Sequence, residues 1–236
     1  MTDSSNVWVR TSVLEVAVSG KEKKDIKRGL PSLDDDDDMI DWGWAFGKLI
    51  NHTDVEMEIC IKDEESPHNG IIIKLPADSL KDGKVLMGNK YGDLDQEYDD
   101  EEDLEIYPDD LITLTHLHEP EVVHCLRKRY TIDKIYTSTG PILLALNPFK
   151  HCKALYSKKV MKDYWEKGEQ AVHGLTDDDT NKLPPHVYSI ADYAFRTMIQ
   201  TLNEGSSTPA RRVPGKTTPQ KTCDQSILVS GESGAG

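Results

Sequence analysis

The residues best equipped for chemistry stand at the C-terminal end of the chain, in Gly231-Glu232-Ser233-Gly234-Ala235-Gly236. A loop that turns tightly and aims successive backbone N–H groups at anionic oxygens needs glycines, because a Cβ obstructs the turn. Gly231 and Gly236 have the separation required by the phosphate-loop pattern G-x-x-x-x-G-K-[ST]. The Lys that reaches the β/γ-phosphates and the hydroxyl that holds Mg2+ would be the next two residues, and the helix that completes the anion site would follow. The chain is thus expected to hold part of a phosphate loop, with no catalytic residue and no metal ligand. A flexible glycine-rich tail is the alternative reading of the same residues.

Other reactive clusters lead nowhere. Gly215-Lys216-Thr217 imitates the end of a phosphate loop, but Ala210 occupies the place of the first glycine and no strand leads in. His116, His118 and His124 have no carboxylate or cysteine at metal-ligand spacing, so packed or surface histidines are expected. The aspartate run 34–38, read as a calcium loop, puts Met39 and Ala45 where a glycine and a glutamate belong. The run from Asp93 fails in the same way, at Tyr98 and Leu104. Cys60, Cys125, Cys152 and Cys223 form no C-x-x-C pair, so neither a zinc site nor a disulfide framework is indicated.

The positioning elements follow from periodicity. Ser226-Ile227-Leu228-Val229-Ser230 is expected to be a buried strand feeding the glycine loop. At the other end, Val7–Arg10, Val13–Val18, Trp42–Ile50, Val55–Ile61, Ile71–Leu75 and Val85–Met87 read as short strands separated by turns. Residues 1–105 are therefore expected to form a small antiparallel barrel, with Trp42 and Trp44 facing its core. The two acidic runs read as a solvated loop and as a linker leaving the barrel. From Asp110 the texture changes. A helix with Pro120 in its first turn carries Val122, Val123, Leu126 and Tyr130 as its apolar stripe. Ile135–Ser138 and Pro141–Leu146 read as strands turning at Thr139-Gly140, the second covered on both faces. Helices are expected over Ser157–Trp165 and His186–Leu202. The second should present Val187, Ile190, Ala191, Ala194, Phe195, Met198, Ile199 and Leu202 to the core and stop at Gly205. Residues 205–223 read as a disordered surface insertion.

Bulk properties narrow the classes. A length of 236 residues fits one or two domains, and 28 basic against 42 acidic residues, net −14, argues against a dedicated nucleic-acid binder. No apolar run approaches the roughly 20 residues of a membrane span, and Met1–Asn6 is no signal peptide, so the chain reads as cytosolic.

Five segments in order resemble the N-terminal part of a myosin motor domain: Leu114–Tyr130 with its Leu117-His118-Glu119-Pro120 core, Ile135-Tyr136-Thr137 with Gly140, Asn147-Pro148-Phe149-Lys150, Pro185–Asp192, and Gln225–Gly236. The resemblance covers residues 110–236 and is looser upstream, where residues 1–105 look like the Src-homology-3-like barrel of many myosins. It implies a fold of that barrel followed by the incomplete N-terminal α/β part of a P-loop NTPase over residues 106–236. It implies ATP with Mg2+ as the bound nucleotide, with Asn147, Pro148, Lys150 and Tyr156 around the adenine and Gly231–Gly236 on the phosphates. It further implies ATP-driven movement on actin filaments in the cytoplasm, with calmodulin-like light chains and the actin-binding elements beyond this chain. Lys150 and Tyr156 stand one residue further apart than in many myosins, and residues 168–184 and 205–223 look like surface insertions. Two other classes fit parts of the sequence: another P-loop NTPase or kinase sharing only the glycine loop, and a non-enzymatic protein-interaction barrel.

Overall fold

The computed structural model of the chain describes residues 5–19, 43–91, 107–172, 183–207 and 223–231. The chain divides into two compact units: Met1–Tyr107 with Thr113–Cys125, and Pro108–Ile112 with Leu126–Gly236.

The first unit is built on five antiparallel strands: β1 (Asn6–Arg10), β2 (Trp44–His52), β3 (Glu56–Ile61), β4 (Ile72–Pro76) and β5 (Val85–Met87). They lie in the order β4-β3-β2-β1-β5. Period-two alternation buries Met57, Ile59 and Ile61 on β3 and Ile73 and Leu75 on β4, and these join Val7, Val9, Ala45 and Val85 in one core. β2 starts at Trp44, which is buried beneath the Arg10 guanidinium. Trp42 and both acidic runs up to residue 106 lie outside the described residues.

Val13–Val18 is not a strand. Residues Thr11–Ser19 form a helix, α1, whose Leu14 and Val18 are buried in the same core with Val13 and Ala17 packed beside them. The positions 13, 14, 17 and 18 make one helical stripe. The run of valines hid that period behind high β-propensity, and packing against the sheet overrode it.

A second departure concerns helix α2 (Glu119–Thr131). Its most buried face is not the aliphatic stripe, whose members are half-buried, but Glu121, Cys125 and Arg129, spaced four apart. Glu121 is fully buried in the first unit. Its Oε1 accepts the Trp8 indole N–H at 2.7 Å and the Asn89 backbone N–H at 2.8 Å, and its Oε2 accepts the Tyr91 hydroxyl at 2.6 Å. Burial first, and then this bond, push the Tyr91 hydroxyl pKa upward. Gly88 makes the approach possible, since a Cβ there would stand 2.9 Å from Glu121 Oε1. His124 lies among Trp8, Phe46, Tyr91 and Tyr107, and a His118 ring nitrogen is 2.8 Å from the Met87 carbonyl oxygen.

In the second unit β6 (Tyr136–Thr139) pairs antiparallel with β7 (Ile142–Ala145) around Gly140, which takes φ +59° at the turn. Helices α3 (Lys158–Val172) and α4 (Val187–Ser207) follow. α3 continues past the expected Trp165, and α4 runs through Gly205 without stopping. The two helices pack so closely at Gly168 that a Cβ there would overlap the Asp192 carboxylate and stand 2.5 Å from Arg196 Nε. Asp192 and Arg196 pair along α4 at 2.7 Å, and Arg196 also donates to the Trp165 carbonyl oxygen.

Three expected core surfaces are open here. On α4, Val187, Phe195, Ile199 and Leu202 are exposed. β7 has exposed ends and a half-buried middle. Residues 226–230 form no strand, and Leu228 is 90% exposed. Among the described residues the sheet of the second unit consists of β6 and β7 alone, and residues 226–230 do not join it. Residues 173–182 and 208–222 lie outside the described residues.

Candidate functional site

The Asn147–Tyr156 loop leaves β7 where the Leu146 N–H still bonds the Ile135 carbonyl oxygen, at 3.0 Å. Asn147 then turns the chain. Its Oδ1 accepts the Phe149 N–H at 2.8 Å, closing an Asx turn around Pro148, whose ring fixes φ. Phe149 consequently sits at φ +49° with its ring 87% exposed. The Asn147 carbonyl oxygen accepts the Tyr130 hydroxyl at 3.1 Å. Lys150 Nζ lies 2.5 Å from Asp133 Oδ1, and that bond holds the Lys150 pKa above the ordinary lysine value. Tyr156 is exposed on one side, and its hydroxyl is 2.8 Å from that of Tyr136.

Beneath Tyr156 lies a ring cluster centred on His186. This imidazole is 1% exposed, and its centroid is 4.5–5.7 Å from those of Tyr136, Tyr156, Tyr164 and Tyr188. Nδ1 accepts the Tyr188 N–H at 3.0 Å, while Nε2 is buried and has no aligned hydrogen-bond partner. Burial lowers the His186 pKa; the Leu155 backbone acts weakly the other way. The Tyr188 hydroxyl donates to the Tyr156 carbonyl oxygen, and that of Tyr164 donates to the Pro184 carbonyl oxygen. Burial, helped by the charge of Asp109, pushes Tyr164 up to about 12. Burial and the bond to Tyr156 raise Tyr136.

Arg129 fixes the strand under this loop. Its guanidinium is 1% exposed and donates from Nε to Thr137 Oγ1 at 2.8 Å and from Nη2 to the Tyr136 carbonyl oxygen at 2.9 Å. Asp109 Oδ1 lies 2.7 Å from Nη2, a charge contact rather than an aligned hydrogen bond.

The structure thus brings Asn147, Pro148, Lys150 and Tyr156 onto one loop. Among the described residues, no hydrogen bond or ion pair joins that loop to Gly231, which is exposed. Glu232, Ser233, Gly234, Ala235 and Gly236 lie outside the described residues. Sequence reasoning passed over Tyr130, Asp133, Tyr136 and His186. The prolines before His186 and the Asp between a helix and a strand were the available signals.

Residues 108–208 match the family described as myosin head (motor domain), a span that contains the whole Asn147–Tyr156 loop and stops before the glycine run. Myosin-13 of Arabidopsis thaliana is 44% identical over 193 residues, 80% of this chain and 10% of that protein. The chain belongs to the myosin head family. Myosin-H heavy chain of Dictyostelium discoideum is 36% identical over 194 residues, 82% of this chain and 8% of that protein. Myosin-6 of Arabidopsis thaliana is 42% identical over 128 residues, 54% of this chain and 6% of that protein. The chain therefore spans about a tenth or less of the length of these myosins. With the first two, the similarity covers more of the chain than residues 108–236, so it reaches into the N-terminal sheet. Because the myosin head match does not depend on the glycine run, it favours this family over a kinase sharing that run alone.

Proposed function

We propose that this chain supplies one wall of the ATP site of a myosin motor. Asn147, Pro148, Lys150 and Tyr156 face the adenine, and Gly231–Gly236 cradle the phosphates. The observation that carries this reading is the loop geometry inside the family match. Asn147 spends its Oδ1 on Phe149, leaving its amide NH2 as a donor for a ring nitrogen, and Tyr156 offers a half-open aromatic surface six residues after Lys150. An amide, a ring and an ammonium on one exposed loop suit a planar heterocycle attached to an anionic tail.

ATP, when bound with Mg2+, would supply the phosphoanhydride that is cleaved. The residues of this chain bind and orient. Backbone N–H groups of the glycine run meet phosphate oxygens, and the 147–156 loop holds the base. Among the described residues no group of three or more His, Cys, Asp or Glu could hold a metal ion. Movement along actin filaments, calmodulin-like light chains and a place in the cytoplasmic actin cytoskeleton belong to the same proposal, as does a Src-homology-3-like role for residues 1–105.

The test is nucleotide turnover by the full-length gene product. Actin-stimulated ATP hydrolysis is expected, and Gly231→Val should abolish it, whereas the 236-residue chain alone should show none. A full-length product that neither binds nor hydrolyses ATP would overturn the proposal.

A further inference from the structure

Three side chains from one corner of the second unit each hold a different member of the Asn147–Tyr156 loop. The corner is the turn from α2 into β6. Tyr130 bonds the Asn147 carbonyl oxygen, Asp133 pairs with Lys150, and the Tyr136 hydroxyl meets that of Tyr156. We infer that Tyr130, Asp133 and Tyr136 are positioning residues that set the base-facing groups of Asn147, Lys150 and Tyr156; the inference rests on the nucleotide reading above.

The corner is built to hold its shape. The Asp133 and Lys134 N–H groups bond the carbonyl oxygens of Tyr130 and Arg129 at 3.1 and 3.0 Å, and Arg129 ties the same turn to Tyr136 and Thr137. Among the described residues only two non-glycine residues have positive φ, and they are Asp133 at +60° and Phe149 at +49°. One carries the carboxylate of the Asp133–Lys150 pair, and the other immediately precedes its lysine. Backbone in this region costs free energy unless surrounding contacts enforce it, and such strain concentrates at binding sites. Here the contacts that enforce it are local, the C-terminal turn of α2 at Asp133 and the Asx turn at Phe149, and together they fix the backbone on both sides of one ion pair. The side chains of that pair are 54% and 62% exposed, and pairs so open contribute little to folding. What the pair does fix is where the ammonium of Lys150 stands. Tyr136 acts at the other end of the loop. Its ring packs on His186 while its hydroxyl alone reaches Tyr156, so Tyr136→Phe removes the contact and keeps the packing.

The experiment compares Asp133→Asn and Tyr136→Phe with wild type in the full-length gene product. Two probes are used: ATP, and inorganic tripolyphosphate, which carries the phosphates without a base. Each substitution should weaken ATP binding about three- to tenfold, the scale of one lost hydrogen bond, and leave tripolyphosphate binding unchanged; Asp133→Asn, whose pair is open to solvent, should also leave the melting temperature unchanged. In a Lys150→Met background, Asp133→Asn should add no further loss, since its effect passes through that lysine. Unchanged ATP affinity in both variants overturns the inference, and so does an equal loss for ATP and tripolyphosphate. A wild-type protein that binds tripolyphosphate as tightly as ATP overturns the adenine assignment itself, a separate failure.

Discussion

At the scale of single residues, His186 has the sharpest consequence. It is buried among four tyrosines, one nitrogen is occupied, and burial holds its pKa below the ordinary imidazole value of 6.5. For a base whose folded value is lowered, neutral solution costs nothing, because both folded and unfolded chains leave the ring uncharged. As pH falls through 6.5 the unfolded chain takes up a proton that the folded chain refuses, so stability declines until the folded value is passed. The rings facing His186 from β6, the loop, α3 and α4 are those of Tyr136, Tyr156, Tyr164 and Tyr188, and the Leu155 backbone offsets the effect of burial only in part. Denaturant midpoints measured from pH 8 to pH 5 should therefore fall on the acid side, and the difference between wild type and His186→Phe should carry that slope. A pH-independent difference would mean that His186 is not held neutral.

At the scale of elements, α3 and α4 depend on one missing side chain. Gly168→Ala would raise helix propensity by about 1 kcal/mol, yet the methyl group would collide with Asp192 and Arg196. We expect a net loss of about 1–3 kcal/mol, seen as a lower denaturation midpoint, because the Asp192 carboxylate and Arg196 Nε that the methyl group would displace are paired with each other, and Arg196 also holds the Trp165 carbonyl oxygen. A stabilised Gly168→Ala protein would show that the helices separate at no cost. The same elements show what the sequence made legible. Period two found β3 and β4, and the 3.6-residue repeat found α2 and α4, because each has a regular apolar face. The period missed α1, where valines imitate a strand. It named the wrong face of α2, because an apolar period takes no account of Glu121 and Arg129, whose burial depends on distant partners. Those partners lie as far as 113 residues away in sequence, a distance no local pattern spans. The resemblance singled out Asn147 and Tyr156, whereas the contacts that Tyr130, Asp133 and Tyr136 make with that loop had no signal in the sequence. Asp133 and Tyr136 acquire their roles only through tertiary contact.

At the scale of the whole molecule, the second unit leaves large apolar side chains open on α4, at Ile142 and over residues 227–229. Exposed apolar surface of this kind drives association. The 236-residue chain should therefore self-associate at micromolar concentration and bind a hydrophobic dye, as read by light scattering and fluorescence. A monodisperse monomer without dye binding would mean that these faces are closed in solution. In the first unit the carboxylate that gathers Trp8, Asn89 and Tyr91 arrives late, because Glu121 is 30 residues downstream of Tyr91 and 113 downstream of Trp8. At a synthesis rate of about 5–20 residues per second, the ribosome takes seconds to deliver that carboxylate after the last strand of the sheet is made. Until then the indole, the amide and the phenol lack the carboxylate that gathers them, so this side of the sheet closes only after the start of α2 has been made.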